Sequence, residues 1–289
     1  MLKKRIVACI TVKNNVVVQS IGFQKYLPVG SVPIAVEFLN QWGIDEIAIL
    51  DISATARGRR PNFKLLAQAA RKCFTPLAIG GGVVSISDMH RLNQLGAEKV
   101  IINSLALRKP GMITAAAEIF GSQFVVVSID VKKVGKGYEV YSDNGKKPTS
   151  HDAVSYAQLV ENLGAGEIFL NSIDRDGSKK GFDVDLIRRV ASAVKIPVIA
   201  CGGAGTAHHF YEVAEKTKAS AVAAGNFFHF TEHSPIVLKA FLKSMRVPVR
   251  LETYARYDGA TFSADGRLAK RSESYLDKLR FTHLPEETI

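Results

Sequence analysis

Short runs of apolar, mostly β-branched residues recur along the chain, and each is followed by a longer segment in which apolar residues return at helical spacing. In order, the runs are RIVACITV, EIAILDI, PLAIGGG, KVIINS, FVVVSIDV, EIFLNSI, PVIACGG and AVAAGNF. Because polar residues do not alternate within them, these runs predict strands that are buried on both faces, as in a parallel sheet covered by helices. Eight such units predict an α/β fold that closes into a (β/α)8 TIM barrel; a doubly wound open sheet is the less favoured alternative.

The two halves of the chain also resemble each other. Three pairs of aligned positions lie about 120 residues apart: Thr11 with Asp130, Leu50 with Leu170, and Gly81 with Gly202. A unit of four strand-helix pairs that occurs twice predicts a pseudo-twofold repeat of half-barrels. We expect the functional side chains at the carboxyl ends of the strands, because barrel sites lie at that face.

The barrel pattern stops near Leu251, which predicts a barrel over residues 1–252 and a short C-terminal extension over residues 253–289. The extension contains aromatic residues, turn signals at Asp258-Gly259 and Asp265-Gly266, and helical spacing from Ser272 to Leu279. Its aromatic content is not typical of a disordered tail, so we expect it to dock on the barrel or on a partner.

Composition indicates a globular protein. The 289 residues are 47% hydrophobic, which is enough for a sizeable α/β core. No apolar run approaches the roughly 20 residues that cross a bilayer, and the three cysteines, Cys9, Cys73 and Cys201, lie far apart without metal-ligand spacing. We therefore expect a cytoplasmic protein with reduced thiols, no membrane association, no metal site and no cofactor.

The formal net charge of +11 favours an anionic partner or ligand, such as nucleic acid, a sugar phosphate or an acidic protein face. Lysines and arginines are spread along the chain, without an arginine-rich run or interleaved aromatic residues. This pattern disfavours nucleic acid.

Two glycine-rich turns, one in each half, are candidate anion sites. Each closes a predicted strand and opens a helix, where backbone N–H groups and a helix N-terminus can bind phosphate. The alternative is that the glycines serve only tight strand-to-helix turns. The predicted phosphate-binding residues are Gly81, Gly82, Asn103 and Ser104 in the first half, and Gly202, Gly203, Gly225 and Asn226 in the second.

Several motifs together resemble the HisF family, the cyclase subunits of imidazole glycerol phosphate synthase. They are RIVACITVK, VVVSIDVKK, DNGKKPT, SIDRDGSKKGFD, IPVIACGGAG and FFHFTEHS. The resemblance runs from residue 1 to about residue 252 without a large gap. It implies a partner, a class I glutaminase similar to HisH, that docks at the N-terminal face of the barrel and releases ammonia into it.

The resemblance also implies an ammonia gate, a ring of four charged residues at the entrance to the barrel. The matching positions are Arg5, Glu46, Lys99 and Glu167, each at the start of a predicted strand. Without the family match, alternating charges at these positions could equally form a salt-bridged barrel floor.

At the catalytic face the chain departs from the family pattern. The family uses two aspartates as general acid and base; Asp130 matches one of them, but Thr11 stands in place of the other. Gln19 replaces a lysine, Asn171 replaces a threonine and Cys201 replaces a serine. Losing one positioned acid or base typically costs a factor on the order of 10²–10⁴ in rate, so whether this barrel is itself a lyase stays open.

The motifs RGRRPNF, ACGGAG and AVAAGNFF are most similar to a branch of HisF-like paralogues. Those proteins work with a glutaminase and a sugar amidotransferase to make an acetamidino group on a nucleotide-linked sugar for surface polysaccharide. The resemblance implies that the barrel passes ammonia to that reaction.

Two alternatives are a cyclase subunit in histidine biosynthesis and a non-catalytic scaffold that activates the glutaminase. We expect an anionic phosphosugar or nucleotide sugar as the ligand, and Asp51, Asn171 and Asp176 are predicted to face it.

Overall fold

The computed structural model describes residues 2–231, 233–257 and 259–276 and shows a closed barrel of parallel strands. In the described residues the barrel order is that of eight strands, with β12 pairing with β1 to close the ring; this confirms the predicted (β/α)8 TIM barrel. The strands are β1 (Arg5–Lys13), β2 (Val16–Ile21), β3 (Lys25–Ser31), β4 (Glu46–Asp51), β5 (Leu77–Gly80), β6 (Lys99–Ile102), β7 (Val125–Val134), β8 (Gly137–Ser142), β9 (Lys147–Asp152), β10 (Glu167–Ser172), β11 (Val198–Cys201) and β12 (Ala221–Ala224).

Four of these strands lie outside the ring and form two excursions. β1 continues into an antiparallel hairpin with β2 and β3, and β7 continues in the same way into β8 and β9. The sequence pattern did not separate these hairpins from the helical connections. Each follows the first strand of its half, as expected for a repeated half-barrel.

Helices cover the outside of the ring. They are α1 (Val32–Gln41), α2 (Ile52–Ala56), α3 (Phe63–Ala70), α4 (Ile86–Gln94), α5 (Ser104–Arg108), α6 (Gly111–Phe120), α7 (Ala153–Asn162), α8 (Val184–Ala193), α9 (Ala207–Lys216), α10 (Ser234–Ser244) and α11 (Glu273–Leu276). Among the helices in the described ranges, none is long and apolar enough to cross a membrane.

Alternate residues of each barrel strand face two different cores. In β1, Ile6, Ala8 and Ile10 belong to the large core between strands and helices, whereas Val7 and Cys9 belong to a smaller cluster inside the ring. Both sets are almost fully buried, which explains why the strand sequences show no polar alternation. The inner cluster is lined by Val7, Cys9, Ala48, Ala78, Ile101, Val126, Phe169, Ile199, Cys201, Ala221 and Ala223.

Residues of the C-terminal extension contact the outside of the barrel. The rings of Phe262 and Phe241 lie 5.7 Å apart, and the Ala207 N–H donates to the carbonyl of Asp265 at 3.1 Å. The Tyr254 hydroxyl lies 2.6 Å from Nε2 of His233. The division of the chain at residue 252 stays a prediction, and Asp258 and residues 277–289 lie outside the described residues.

A buried ion pair joins α10 to the floor of the barrel. The Lys239 ammonium lies 2.6 Å from Oδ1 of Asp45, and Oδ2 of Asp45 accepts the Ile6 N–H at 2.8 Å. The two side chains are 2% and 5% exposed. Burial lowers the pKa of Lys239, and the charge of Asp45 opposes that effect. Removing one partner would leave the other charge buried without compensation.

We expect Asp45→Asn to lower the free energy of unfolding by about 3–5 kcal/mol, as found for other broken buried ion pairs. Glu37→Gln is the control, because Glu37 pairs with Lys72 at 3.1 Å on the surface and such pairs contribute about 0–1 kcal/mol. Urea denaturation of both variants at pH 7 measures the difference. Equal losses in the two variants would contradict a structural role for the buried pair.

Candidate functional site

A pocket at the carboxyl ends of the barrel strands, here called the mouth, gathers the predicted residues of the catalytic face. Asp130 on β7 is buried there, and Thr11 on β1 is half-buried. Within the described residues, no hydrogen bond joins these two side chains. The other predicted residues that line the mouth are Asp51, Gly81, Gly82, Asn103, Ser104, Asn171, Asp176, Gly202, Gly203, Gly225 and Asn226.

Asp130 carries an unusual proton affinity. Burial, and secondly the negative charge of Asp176, raise its pKa to about 7. Hydrogen bonds from Ser128, Asn103 and Asn171 act in the opposite direction; the Asn103 amide lies 3.0 Å from Oδ2. A carboxyl group with this pKa both accepts and donates a proton near neutral pH, which suits a general acid or base.

Asp176 holds the first hairpin over the mouth. Its Oδ2 accepts from the Ser20 hydroxyl at 2.6 Å and from the Phe23 N–H at 3.1 Å, and its carbonyl accepts the Gly22 N–H at 3.0 Å. Burial raises its pKa. Phe23 has φ +57°, which is rare for a bulky residue and costs conformational energy. The Asp176 side chain thus already accepts hydrogen bonds from the hairpin, although the sequence predicted that it faces the ligand.

Asn226 reinforces the same closure. Its Oδ1 accepts the Ser20 N–H at 3.3 Å, and its Nδ2 donates to the Ser20 carbonyl at 2.8 Å. We predicted Asn226 as a phosphate-binding residue; its side-chain amide holds β2, and its role in anion binding stays a prediction. The sequence does not indicate these contacts of Ser20, because its partners lie more than 150 residues away along the chain.

Asp51, Asn103 and Asn171, three other polar residues of the mouth, differ in their hydrogen-bond partners. Asp51 caps α2, since its Oδ1 accepts the Ser53 N–H at 2.8 Å. Asn103 donates to Asp130 and to the Ser128 carbonyl. In the described part of the chain, Oδ1 of Asn171 is buried without a hydrogen-bond partner. Such an acceptor is costly to bury unless a ligand satisfies it.

Close backbone approach requires the glycines of both turns. A Cβ on Gly81 would lie 2.2 Å from the carbonyl oxygen of Asp51, and one on Gly203 would lie 2.1 Å from that of Gly181. Both residues have positive φ, at +103° and +112°. Packing therefore accounts for these two glycines without a ligand, and their role in anion binding stays a prediction.

The helices that follow the two turns are capped by side chains of this protein. Asp88 accepts the N–H groups of Val84 and Ser85 at the start of α4, both at 3.1 Å. Nδ1 of His209 accepts those of Gly205 and Thr206 at the start of α9. An anion in the mouth would thus depend on the turns and on the short segments after β6 and β12 rather than on α4 and α9.

The four predicted gate residues meet at the opposite end of the barrel. Arg5 contacts both Glu46 and Glu167, and the Lys99 ammonium lies 2.9 Å from Glu46 and 2.7 Å from Glu167. The two carboxylates are 2% and 5% exposed. Charges alternate around a closed ring that covers the amino ends of the strands. Both sequence interpretations, a gate and a salt-bridged floor, are compatible with this geometry.

Two residues that the sequence interpretation did not assign to a site also line the mouth. Arg108, at the end of α5, is exposed and supplies a positive charge beside Asn103 and Ser104. Cys9 lines the mouth together with Cys201. A hydrogen bond to Cys9 and burial raise the pKa of the Cys201 thiol, which keeps it protonated.

Comparison with known proteins finds that this chain is similar to members of one family. A family model for histidine biosynthesis proteins matches residues 5–234. A Vibrio vulnificus protein provisionally named imidazole glycerol phosphate synthase subunit hisF2 is 42% identical over 267 residues, which are 92% of this chain and 98% of the relative. Imidazole glycerol phosphate synthase subunits HisF from Dehalococcoides mccartyi and Clostridium botulinum are 44% and 45% identical over 253 residues, 87% of this chain and 100% of each relative.

The raised pKa of Asp130 makes stability depend on pH. The folded chain binds this proton more tightly than the unfolded chain does, so ionisation of Asp130 destabilises the fold as pH rises from about 4 to about 7. We expect Asp130→Asn to gain stability at pH 8, by up to about 4 kcal/mol, and to gain nothing at pH 4. Chemical denaturation at both pH values measures this.

The control for this experiment is Asp143→Asn, which removes a carboxylate paired with Lys147 near the surface at 3.2 Å. It tests whether loss of any acidic group produces the same pH dependence. A gain for Asp130→Asn that is equal at pH 4 and pH 8 would contradict the raised pKa.

Proposed function

We propose that this chain, which belongs to the histidine biosynthesis protein family and within it to the HisF subunits, receives ammonia from a class I glutaminase and delivers it to an anionic ligand in the mouth. The observation that carries the proposal is that Asp130 and Thr11 both line the mouth, where a cyclase of this family would have two aspartates. The mouth keeps one proton-exchanging carboxyl group, yet has a hydroxyl where a cyclase would need a second one.

The interior of the barrel supports a path for ammonia. Between the charged ring and the mouth, the inner cluster contains small apolar side chains, including Ala48, Ala78 and Ala221. A neutral molecule enters such surroundings at far lower cost than an ion, because burial penalises the charged form. The ring of Arg5, Glu46, Lys99 and Glu167 would be the entrance on the glutaminase side.

The reaction in the mouth would be amidination of a nucleotide-linked sugar, with a sugar amidotransferase as an additional partner. Two features support this choice over cyclisation. Thr11 cannot act as an acid or base unaided. The motifs RGRRPNF, ACGGAG and AVAAGNFF are most similar to the branch of HisF-like paralogues that works in sugar amidination.

A second candidate function is the cyclase step of imidazole glycerol phosphate synthase in histidine biosynthesis. The names of the HisF relatives favour it, and so does the presence of both glycine turns around Asp130. In that case Asp51, which also lines the mouth, or a water held by Thr11 would supply the second proton transfer. The third reading, a scaffold that only activates the glutaminase, has no specific observation in its favour.

The glutaminase partnership is tested by co-expressing this chain with a class I glutaminase encoded beside it. We expect the two chains to co-purify and the glutaminase activity to rise on binding. Lys99→Met should weaken this coupling about tenfold or more, because it leaves Glu46 and Glu167 with Arg5 alone.

Lys109→Met is the matched control for Lys99→Met, since Lys109 is exposed and lies beyond the other end of β6. It should leave both binding and activity unchanged. If the apparent mass and the activity of the glutaminase do not change when this chain is present, the proposed partnership is contradicted.

The role of Thr11 is tested with the histidine-pathway phosphosugar and free ammonia. We expect cyclase activity at least about 10²-fold below that of a HisF subunit with aspartate at this position. Thr11→Asp should recover a trace at most, because Gln19 and Asn171 differ as well and an acid–base pair acts as a unit. Strong complementation of a cyclase-deficient strain by the unchanged chain would overturn the assignment.

A further inference from the structure

A second cavity, here called the outer pocket, lies beside the mouth and has the opposite charge. Its volume is about 600 Å³, and it lies between the β1–β2 turn, the β2–β3 hairpin, the end of α2 and the β8–β9 turn. Four cationic side chains line it: Lys13, Arg57, Lys132 and Lys146. Aspartate and glutamate are absent from its lining within the described residues.

Two of the cations are held in place by neutral groups. The Lys13 ammonium lies 3.9 Å from the centre of the Tyr26 ring. The Lys132 ammonium donates to the Gly145 carbonyl at 3.0 Å and lies 4.6 Å from the centre of the Tyr141 ring. Aromatic faces and carbonyls position an ammonium without cancelling its charge. Both lysines are half-buried.

The other two cations, Arg57 and Lys146, stand exposed at the rim. Neither forms an ion pair with a carboxylate in the described part of the chain. Asp143, which belongs to the same turn as Lys146, pairs with Lys147 instead. Four like charges around one cavity repel each other, and an anion with several charges would relieve that repulsion.

The mouth and the outer pocket complement each other in size and charge. The mouth is lined by three carboxylates, Asp51, Asp130 and Asp176, and by Arg108 as its one cation among the described residues. Its volume is about 140 Å³, below the roughly 300–1,000 Å³ typical of sites that enclose a whole ligand. A nucleotide-linked sugar that reacts in the mouth would therefore extend beyond it.

The two cavities share a wall. Phe23, Tyr26, Ile52 and Asn144 line both of them. The wall is held by two hydrogen bonds, from the Tyr26 hydroxyl to the Phe23 carbonyl and from the Asn144 amide to the Ile52 carbonyl, each at 2.8 Å. A ligand that occupies both cavities would lie across these residues.

We propose that the outer pocket binds the diphosphate group of a ligand whose other end reaches the mouth. A diphosphate supplies the several negative charges that Lys13, Arg57, Lys132 and Lys146 would neutralise, and the outer pocket has room for more than the diphosphate alone. The inference rests on the proposed function only for the rest of the ligand, a nucleotide-linked sugar.

The test is titration calorimetry of the full chain with inorganic pyrophosphate, uridine diphosphate and ribose 5-phosphate at constant ionic strength. Pyrophosphate and uridine diphosphate should bind. Lys146→Ala and Arg57→Gln should each weaken both about tenfold. Lys146→Arg should retain binding, because it keeps the charge.

Two controls remove an equal charge from outside the outer pocket. Lys133→Ala deletes the residue next to Lys132, and Arg71→Gln deletes the arginine that follows α3; neither residue lines the outer pocket. Equal weakening by these controls would reduce the effect to net charge and overturn the inference. The same follows if Arg108→Gln in the mouth abolishes binding while the outer-pocket variants do not.

The three probes distinguish the sources of the phosphoryl group. Ribose 5-phosphate that binds as tightly as uridine diphosphate would overturn the diphosphate assignment. The experiment contains no glutaminase and no ammonia. A failure here thus leaves the proposed ammonia delivery untouched, and failed glutaminase coupling leaves this binding result untouched.

Discussion

The architecture depends on the way each strand of a closed parallel barrel divides its side chains between two apolar spaces. Residues on one face pack against the surrounding helices, and those on the other fill the ring. Because side chains alternate, the chain cannot change one core without constraining the other. This constraint fixes the two ends as well: the charged ring forms where strands begin, and the mouth forms where they end.

Electrostatics divides the carboxyl-end face of the barrel into two regions. Carboxylates concentrate in the small mouth, where burial raises the pKa of Asp130 and Asp176. Cations concentrate outside the wall formed by the first hairpin and the β8–β9 turn. The hairpin separates the two regions because Asp176 and Asn226 hold Ser20. A change in these contacts would alter both cavities at once.

The barrel and most of the mouth could be predicted from the sequence, because buried strands leave long apolar runs and their ends bring side chains together. The hairpins could not: β3 is mostly exposed and shows no clear period. Long-range contacts also left no signal, as for Ser20 and Asn226, which are 206 residues apart. The cap of α4 does have a local signal, the capping-box spacing of Ser85 and Asp88. The outer pocket has none, because it is assembled from turns that the sequence separates widely.

Thr11 and the proton affinity of Asp130 belong to one electrostatic balance. Burial and Asp176 already raise the pKa of Asp130 to about 7. A carboxylate in place of Thr11 would add another negative charge to the mouth and raise that pKa further. With threonine at position 11, the pKa of Asp130 stays near neutral. Cyclisation by an acid and a base on opposite sides of the mouth needs two proton-exchanging groups. A ligand that another protein has activated has simpler requirements. Ammonia must arrive unprotonated, and one nearby group must take up the proton that is released when ammonia reacts.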